Sequence, residues 1–257
     1  MMHFPKTFPV PLIHLEETDS TNKYLNELCN KQCVEELTTI TADFQTSGRG
    51  QRGNSWESEA GQNLMFSFVL YPTFLKARRQ FLLSQIISLA IKEELERYVS
   101  NISIKWPNDI VINGKKICGI LTEMSAQFDY INHIVIGIGI NVHNESFPEE
   151  LQDHAGSLLL ECGKRVHRAD LIEAFLEEFE RLYAIYLQTE DLSALQEEYD
   201  QLLVNRGRQV RVLDPKEPFE GKAMGITKKG ELIVDTWESR KLVSSGEVSV
   251  RGIYGYV

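Results

Sequence analysis

The chain has 257 residues, 42% of them hydrophobic and 25% charged, with a formal net charge of −10. That is enough apolar material for one large domain, or for one domain plus a small one, and the acidic balance argues against a nucleic-acid-binding surface as the main function. No apolar run reaches membrane-spanning length, and the opening Met1-Met2-His3-Phe4-Pro5-Lys6 lacks the charged-then-apolar pattern of a signal peptide, so a cytoplasmic protein is expected. Cys29, Cys33, Cys118 and Cys162 form no Cys-x-x-Cys pair and have no nearby His, so they read as reduced structural thiols rather than a zinc site.

In chain order, residues 10–15 suggest a short first strand. Asp19-Ser20-Thr21-Asn22 follows, and Tyr24, Leu25 and Leu28 then recur at helical spacing. Hydroxyls and an amide at a helix start are ordinary caps, and they can also hold a small polar ligand. Residues 37–42 read as a strand, and residues 43–62 carry no clear period. A loop of that length inside a compact domain is usually functional or disordered. Within it, Gly48-Arg49-Gly50-Gln51-Arg52-Gly53-Asn54-Ser55-Trp56 combines three glycines with two arginines. Glycine lets backbone N–H groups approach a ligand, and arginine offers a fixed fork of donors to phosphate or carboxylate. The letters also match the dinucleotide fingerprint G-x-G-x-x-G. That fingerprint requires a helix to begin at the loop, whereas here residues 64–70 read as a strand, and no Gly-Lys-Ser/Thr of a P-loop is present.

A helix is expected over residues 76–99, with Phe81, Leu82, Ile86, Leu89 and Ile91 inward and Lys92, Glu93, Glu94 and Glu96 outward. Next comes Ile104-Lys105-Trp106-Pro107-Asn108-Asp109, where Pro107 interrupts any strand. Asn113-Gly114 between two β-type runs signals a type I′ hairpin. A strand over residues 131–142 contains Gly137-Ile138-Gly139-Ile140-Asn141, whose glycines let another group approach the backbone. Residues 147–168 read as loop-rich. Helices follow from Leu171 to Tyr183 and over 192–203, and five short strands occupy 209–213, 219–226, 231–236, 240–244 and 248–254. The expected fold is α+β: a mixed, largely antiparallel sheet with packed helices, and a small C-terminal β-barrel. The domains are expected at 1–204 and 205–257.

Taken in order, the Asp-Ser-Thr-Asn turn, the arginine loop, Lys105-Trp106-Pro107-Asn108-Asp109 with Lys116-Ile117-Cys118-Gly119-Ile120, and Gly137-Ile138-Gly139-Ile140-Asn141 resemble the biotin–protein ligases. The resemblance runs from about Leu15 to the C-terminus and implies that the C-terminal barrel is SH3-like. It also implies an ATP-dependent biotin–[acetyl-CoA-carboxylase] ligase, which makes biotinyl-5′-AMP and transfers biotin to a lysine of a carrier. By the same resemblance Ser20, Thr21, Asn22, Gln45, Arg49, Gly50, Gln51 and Lys116 would contact biotin. Lys116, Arg49 and Arg52 would act catalytically, and Gly48, Arg52, Trp56, Asn108, Asp109 and Asn141 would line the nucleotide side. ATP and Mg²⁺ are the implied cofactors and biotin the substrate. No metal ligand is assigned, although Asp109 is a candidate for magnesium. The partner would be the biotin carboxyl carrier domain of a biotin-dependent carboxylase, with no nucleic acid or membrane. An exposed edge strand leaves a homodimer open.

Two departures from the family pattern stand out. Gln51 and Asn54 replace cations that the family loop commonly carries. With about a dozen residues before the first matching segment, no DNA-binding domain and no repressor function are expected. The rival readings are a lipoate–protein ligase and a non-enzymatic phosphate- or peptide-binding module.

Overall fold

The structure is a computed structural model that describes residues 2, 9–72, 75–76, 79–127, 130–245, 249–253 and 255–257, with the side chain of Arg52 outside the described set. In chain order the elements are β1 (Leu12–Thr18), α1 (Thr21–Lys31), β2 (Thr39–Gln45), β3 (Asn63–Leu70), α2 (Phe81–Leu95), β4 (Ile102–Lys105), β5 (Asp109–Ile112), β6 (Lys115–Gln127) and β7 (Tyr130–Asn141). They continue with α3 (Leu158–Cys162), α4 (Arg168–Thr189), α5 (Gln196–Leu202), β8 (Gln209–Leu213), β9 (Phe219–Ile226), β10 (Leu232–Asp235), β11 (Arg240–Val243) and β12 (Ser249–Gly252). The chain divides into two compact units: residues 1–80 with 116–176, and residues 81–115 with 177–257.

In the first unit the strands lie in the order β1-β2-β3-β7-β6. Only β1–β2 is parallel, so the sheet is mixed and largely antiparallel as expected. Alternation along β7 sorts its residues between two faces. Ile136, Ile138 and Ile140 join Leu64, Phe66, Phe68 and Leu70 on one buried face. Phe175 of α4 packs there, its ring 5.5 Å from Phe66 and 5.9 Å from Phe68. On the opposite face Leu25 of α1 is buried with Ile40, Val69 and Val135. Gly137 and Gly139 fall on this second face, level with Ser67 and Met65 of β3. The glycine-for-isoleucine alternation therefore fills one side of the sheet and leaves shallow ground on the other.

The turn after β5 behaves as its sequence requires. Asn113 has φ +50° and Gly114 φ +82°, the pair of left-handed residues a type I′ turn needs. Residues 147–168 are loop-rich, with one short helix among them. This is α3, capped by Ser157, which accepts from the Leu160 N–H at 3.2 Å, and closed by Gly163 at φ +68°.

In the second unit, α2 begins at Phe81 rather than at Lys76, and residues 77–78 lie outside the described set. Its outward charged face is corrected at two positions: Lys92 is 9% exposed and Glu94 4%. Each is buried with a partner. The Lys92 ammonium lies 2.8 Å from Glu93 and 2.9 Å from Glu96, and Glu94 pairs with Arg97 at 3.0 Å. The Lys-Trp-Pro-Asn turn is held from several sides. The Trp106 indole N–H and the Gln85 amide both donate to the Gly230 carbonyl, at 3.0 and 2.9 Å. Tyr199 donates to the Pro107 carbonyl at 2.8 Å, and the Val204 N–H donates to Ile104 at 3.0 Å. The C-terminal strands form an antiparallel sheet in the order β11-β10-β9-β8-β12, and among the described residues it does not close into a barrel. The expected last strand, 248–254, is observed over Ser249–Gly252, and residues 248 and 254 lie outside the described set.

A fragment ending at residue 204 lacks Gly230, and so leaves two buried donors without their acceptor. Each such loss costs about 1–3 kcal/mol, a large share of a typical stability of about 5–15 kcal/mol. The 1–204 fragment is expected to lose cooperative unfolding or to unfold at a clearly lower urea midpoint. An unchanged midpoint would show that the turn does not depend on the C-terminal sheet.

Candidate active site

The start of α1 decides between a cap and a ligand site. Ser20 occupies the N-cap with extended backbone, φ −160° and ψ 131°, yet its side chain makes no capping bond. The polar side chains after it turn toward the sheet. The Thr21 N–H donates to Gln45 Oε1 at 2.7 Å, and the Thr21 hydroxyl reaches the same oxygen at 3.1 Å. Ser67 of β3 lies 2.7 Å from Thr21 Oγ1 and 2.6 Å from Asn22 Oδ1. Two hydroxyl protons thus serve three oxygen–oxygen contacts, and the Asn22 oxygen, which carries no proton, depends on Ser67 for its donor. Asn22 Nδ2 donates to Glu123 Oε2 at 2.8 Å and lies 3.4 Å from the Leu121 carbonyl. Ser20, Thr21 and Asn22 are all buried.

Glycines make this packing possible. A Cβ on Gly137 would overlap the Asn22 side-chain oxygen. Gly119 and Gly139 face each other across β6 and β7, and together they floor the indole of Trp56. A Cβ on Gly139 would stand 2.5 Å from the indole Cε2, and one on Gly119 would stand 3.0 Å from Cζ3. The Trp56 Nε1–H is buried with no acceptor among the described residues.

Within the long loop before β3, residues 48–56 form a small hairpin. Arg49 bridges Ser55, the Gly50 N–H donates to Asn54 at 2.7 Å, the Trp56 N–H donates to Gly48 at 3.0 Å, and Gln51–Gly53 form one 3₁₀ turn. A Cβ on Gly48 would overlap the Trp56 carbonyl, so the hairpin requires glycine there. Arg49 leaves the loop to form an ion pair with Glu123, 2.9 Å from Nη1 to Oε1. Gln51 is exposed. The Arg52 side chain lies outside the described residues.

Lys116 is bracketed by a neighbouring segment. Its N–H donates to His154 at 2.7 Å, and its carbonyl accepts from the Gly156 N–H at 3.0 Å. Its ammonium lies 5.8 Å from the Trp56 ring centroid, within cation–π range. Asn141 supports that bracket. Its amide donates to the Gly156 carbonyl at 3.0 Å while its oxygen accepts from Asn63 at 2.9 Å. Asn144 in turn donates to Asn63 at 3.2 Å.

Asn108 and Asp109 belong to the second unit. Asn108 is buried, and its N–H donates to the Lys105 carbonyl at 3.1 Å. Asp109 Oδ2 accepts from the Tyr256 phenol, and Lys105 Nζ lies 4.0 Å from the same oxygen and 3.7 Å from the Tyr256 ring centroid. Burial first, and then the adjacent Asp109 charge, push the Tyr256 phenol far above its ordinary range. Among the described residues no group of three or more His, Cys, Asp or Glu side chains could hold a metal ion. Asp109 Oδ2 thus carries a phenol donor, with an ammonium at 4.0 Å.

Sequence reasoning missed Ser67, Glu123 and Tyr256. For Ser67 a signal existed, as the one hydroxyl in the apolar run Phe66-Ser67-Phe68. Glu123 meets Asn22 and Arg49, and Tyr256 meets Asp109, only through pairings set by the fold.

Comparison with known proteins finds relatives of the whole chain. The sequence profile of the biotin/lipoate A/B protein ligase family matches residues 15–141, and that of the biotin protein ligase C-terminal domain matches residues 207–251. The bifunctional ligase/repressor BirA of Bacillus spizizenii is 36% identical over 242 residues, covering 93% of this chain and 74% of the relative. The biotin–[acetyl-CoA-carboxylase] ligase of Paracoccus denitrificans is 27% identical over 246 residues, covering 93% of this chain and 100% of the relative. Among solved structures, the biotin protein ligase of Aquifex aeolicus in complex with biotin and ATP superposes with a TM-score of 0.84 at 31% identity, covering 94% of this chain and 99% of that one.

Gly137→Ala should force Asn22 off the sheet and break its contacts with Ser67 and Glu123. Overpacking of this kind costs about 1–3 kcal/mol. Urea unfolding checks the cost, and a crystal structure of the variant checks the displacement. A variant with unchanged stability and an unmoved Asn22 would contradict the account of the glycine.

Proposed function

The chain belongs to the biotin/lipoate A/B protein ligase family, and from that premise we infer that it is an ATP-dependent biotin–protein ligase. It activates biotin with ATP and transfers it to a lysine of a biotin carboxyl carrier protein. The observation that carries this reading to particular residues is the single polar network joining the Ser-Thr-Asn turn, Gln45, Ser67 and the loop arginine on one face of the sheet. The match at 207–251 to a C-terminal domain named for biotin ligases favours biotin over lipoate.

In the first step a biotin carboxylate oxygen attacks the α-phosphorus of ATP, the bond to the β-phosphate oxygen breaks, and pyrophosphate leaves. Two anions must meet, so fixed cations are needed at the meeting point. We assign Lys116 to the carboxylate–phosphate junction, where a compact ammonium can neutralise both reacting oxygens, and Arg49 and Arg52 to the phosphates. Ser20, Thr21, Asn22 and Gln45 hold biotin, and Gly50 and Gln51 close the loop over it. In the second step a neutral lysine amine of the carrier attacks the acyl carbon, AMP leaves with the phosphate oxygen, and the amine loses a proton. Water must be kept from the anhydride meanwhile, which is the task of the closed loop.

On the nucleotide side we place Gly48, Trp56, Asn108, Asp109 and Asn141. The buried, unpaired indole N–H of Trp56 and the glycine floor beneath it support that placement. Asn141 contributes by holding Gly156 against Lys116. Magnesium enters the proposal as a companion of the ATP phosphates, its usual ligands together with water, and no step is routed through it.

The functional division at 204/205, with an SH3-like barrel beyond it, is part of the proposal and is supported by the five short antiparallel strands there. A cytoplasmic location and pairing through the outer edge of β1, with a carrier or a second copy, are proposals as well. Among the described residues no helix is long and apolar enough to cross a membrane.

Lys116→Ala should leave the fold intact and lower the rate of biotin-dependent pyrophosphate release by a factor of about 10²–10³, the scale of losing one electrostatic stabiliser at the transition state. Near-normal release would remove Lys116 from the mechanism. Gln51→Arg should slow dissociation of bound adenylate in a chase at matched salt, because it restores a charge facing the phosphate. Equal rates in the two proteins would mean that position 51 does not face the adenylate.

A further inference from the structure

Glu123 lies on β6, outside every motif that marks the family in this sequence, yet it closes the polar network on its open side. Its two carboxylate oxygens have separate tasks. Oε1 pairs with Arg49 Nη1 at 2.9 Å, and Oε2 accepts from Asn22 Nδ2 at 2.8 Å. The side chain is 24% exposed, so the pair is partly sheltered from solvent, while the arginine partner is 51% exposed. A carboxylate is the side chain that accepts on both oxygens at once. By accepting from Nδ2, Glu123 fixes which way the Asn22 amide points and so directs its oxygen to Ser67. By pairing with Arg49, it anchors the loop hairpin to β6 near the residues that hold biotin.

We propose that Glu123 is a positioning residue that couples the arginine loop to the Ser-Thr-Asn turn, so that both biotin-contacting segments are in register before biotin arrives. The inference rests on the reading that Arg49 and Asn22 contact biotin. A preset loop spends less ordering entropy on binding, so the effect falls on affinity for biotin more than on the chemical step.

Glutamine is the informative substitution because it keeps the shape and removes one acceptor. In Glu123→Gln one amide oxygen can serve Arg49 or Asn22, and the NH₂ group must face the other donor. Three measurements on the full-length enzyme test the coupling. Without ligand, tryptic cleavage after Arg49 should run about threefold or more faster in Glu123→Gln than in the wild type, since a partly exposed pair of this kind contributes up to about fivefold. In biotin- and ATP-dependent pyrophosphate release, the KM for biotin should rise about tenfold while kcat stays within about twofold. On an Arg49→Ala background, the same substitution should change KM by less than about threefold, because the partner it acts through is gone. Glu123→Ala, which removes both acceptors, should raise cleavage and KM at least as much and stands in for those two measurements if the glutamine variant is unstable.

Unchanged cleavage with unchanged KM would overturn the proposal while leaving the ligase reading in place. A proportionate loss of kcat, or an effect undiminished on the Arg49→Ala background, would also overturn it. Absence of biotin-dependent release in the wild-type enzyme would instead sink the ligase reading, and the cleavage comparison alone would then decide whether Glu123 holds the loop.

Discussion

Asn22 lies so close to β7 that any side chain at position 137 would collide with its oxygen. That constraint orders the rest of the site. Because Asn22 rests on the sheet, its oxygen reaches Ser67 and its nitrogen reaches Glu123, and through Glu123 the network reaches Arg49. The same alternation that removes side chains at 137 and 139 places Ile136, Ile138 and Ile140 against the apolar layer under α4. One strand therefore builds the core with one set of residues and clears the site with the other. The period-2 geometry of a strand couples the two, and a slip of one residue would exchange them.

Much of this was legible in the sequence, for identifiable reasons. The Asn113-Gly114 turn has the backbone its residues demand, and β9 has the bounds its pattern suggested, because local chemistry decides both. The arginine loop, the Trp-Pro-Asn-Asp turn and the Gly-Ile-Gly-Ile strand stand out as residue types rarely placed together without a reason. What the sequence could not show depends on long-range pairing. Asn22 and Glu123 are 101 residues apart, and Tyr256 and Asp109 are 147 apart. Nothing near Glu123 or Tyr256 in sequence marks them. The burial of Lys92 and Glu94 on α2 was missed for a related reason: their charges are paired with close sequence neighbours, Glu93 on the helix and Glu96 and Arg97 just past its end, which lets the helix bury nearly all of its sides. The reading of Asp19-Ser20-Thr21-Asn22 as a cap was half right. The backbone turns as a cap does, and the side chains of Thr21 and Asn22 serve the sheet instead.

Each unit also shows buried polar side chains paired across elements distant in sequence. In the first, Asn63, Asn141 and Asn144 link β3 and β7 to the segment that brackets Lys116. In the second, one carbonyl, that of Gly230, accepts from both Trp106 and Gln85. Such networks lose more than one contact when a member is removed, because the remaining partners are stranded in a low-dielectric interior. They account for why asparagines and a tryptophan flank the charged residues to which the chemistry is assigned. A lysine or arginine can neutralise a reacting anion only if its backbone is fixed relative to the substrate, and neutral amides provide that fixity without competing charge.

The most direct test of the central claim is exchange of labelled pyrophosphate into ATP, measured without any carrier protein. The account predicts exchange that requires biotin, proceeds with biotin and ATP alone, and fails when lipoate replaces biotin. Exchange that ignored biotin, or that ran equally well with lipoate, would contradict it.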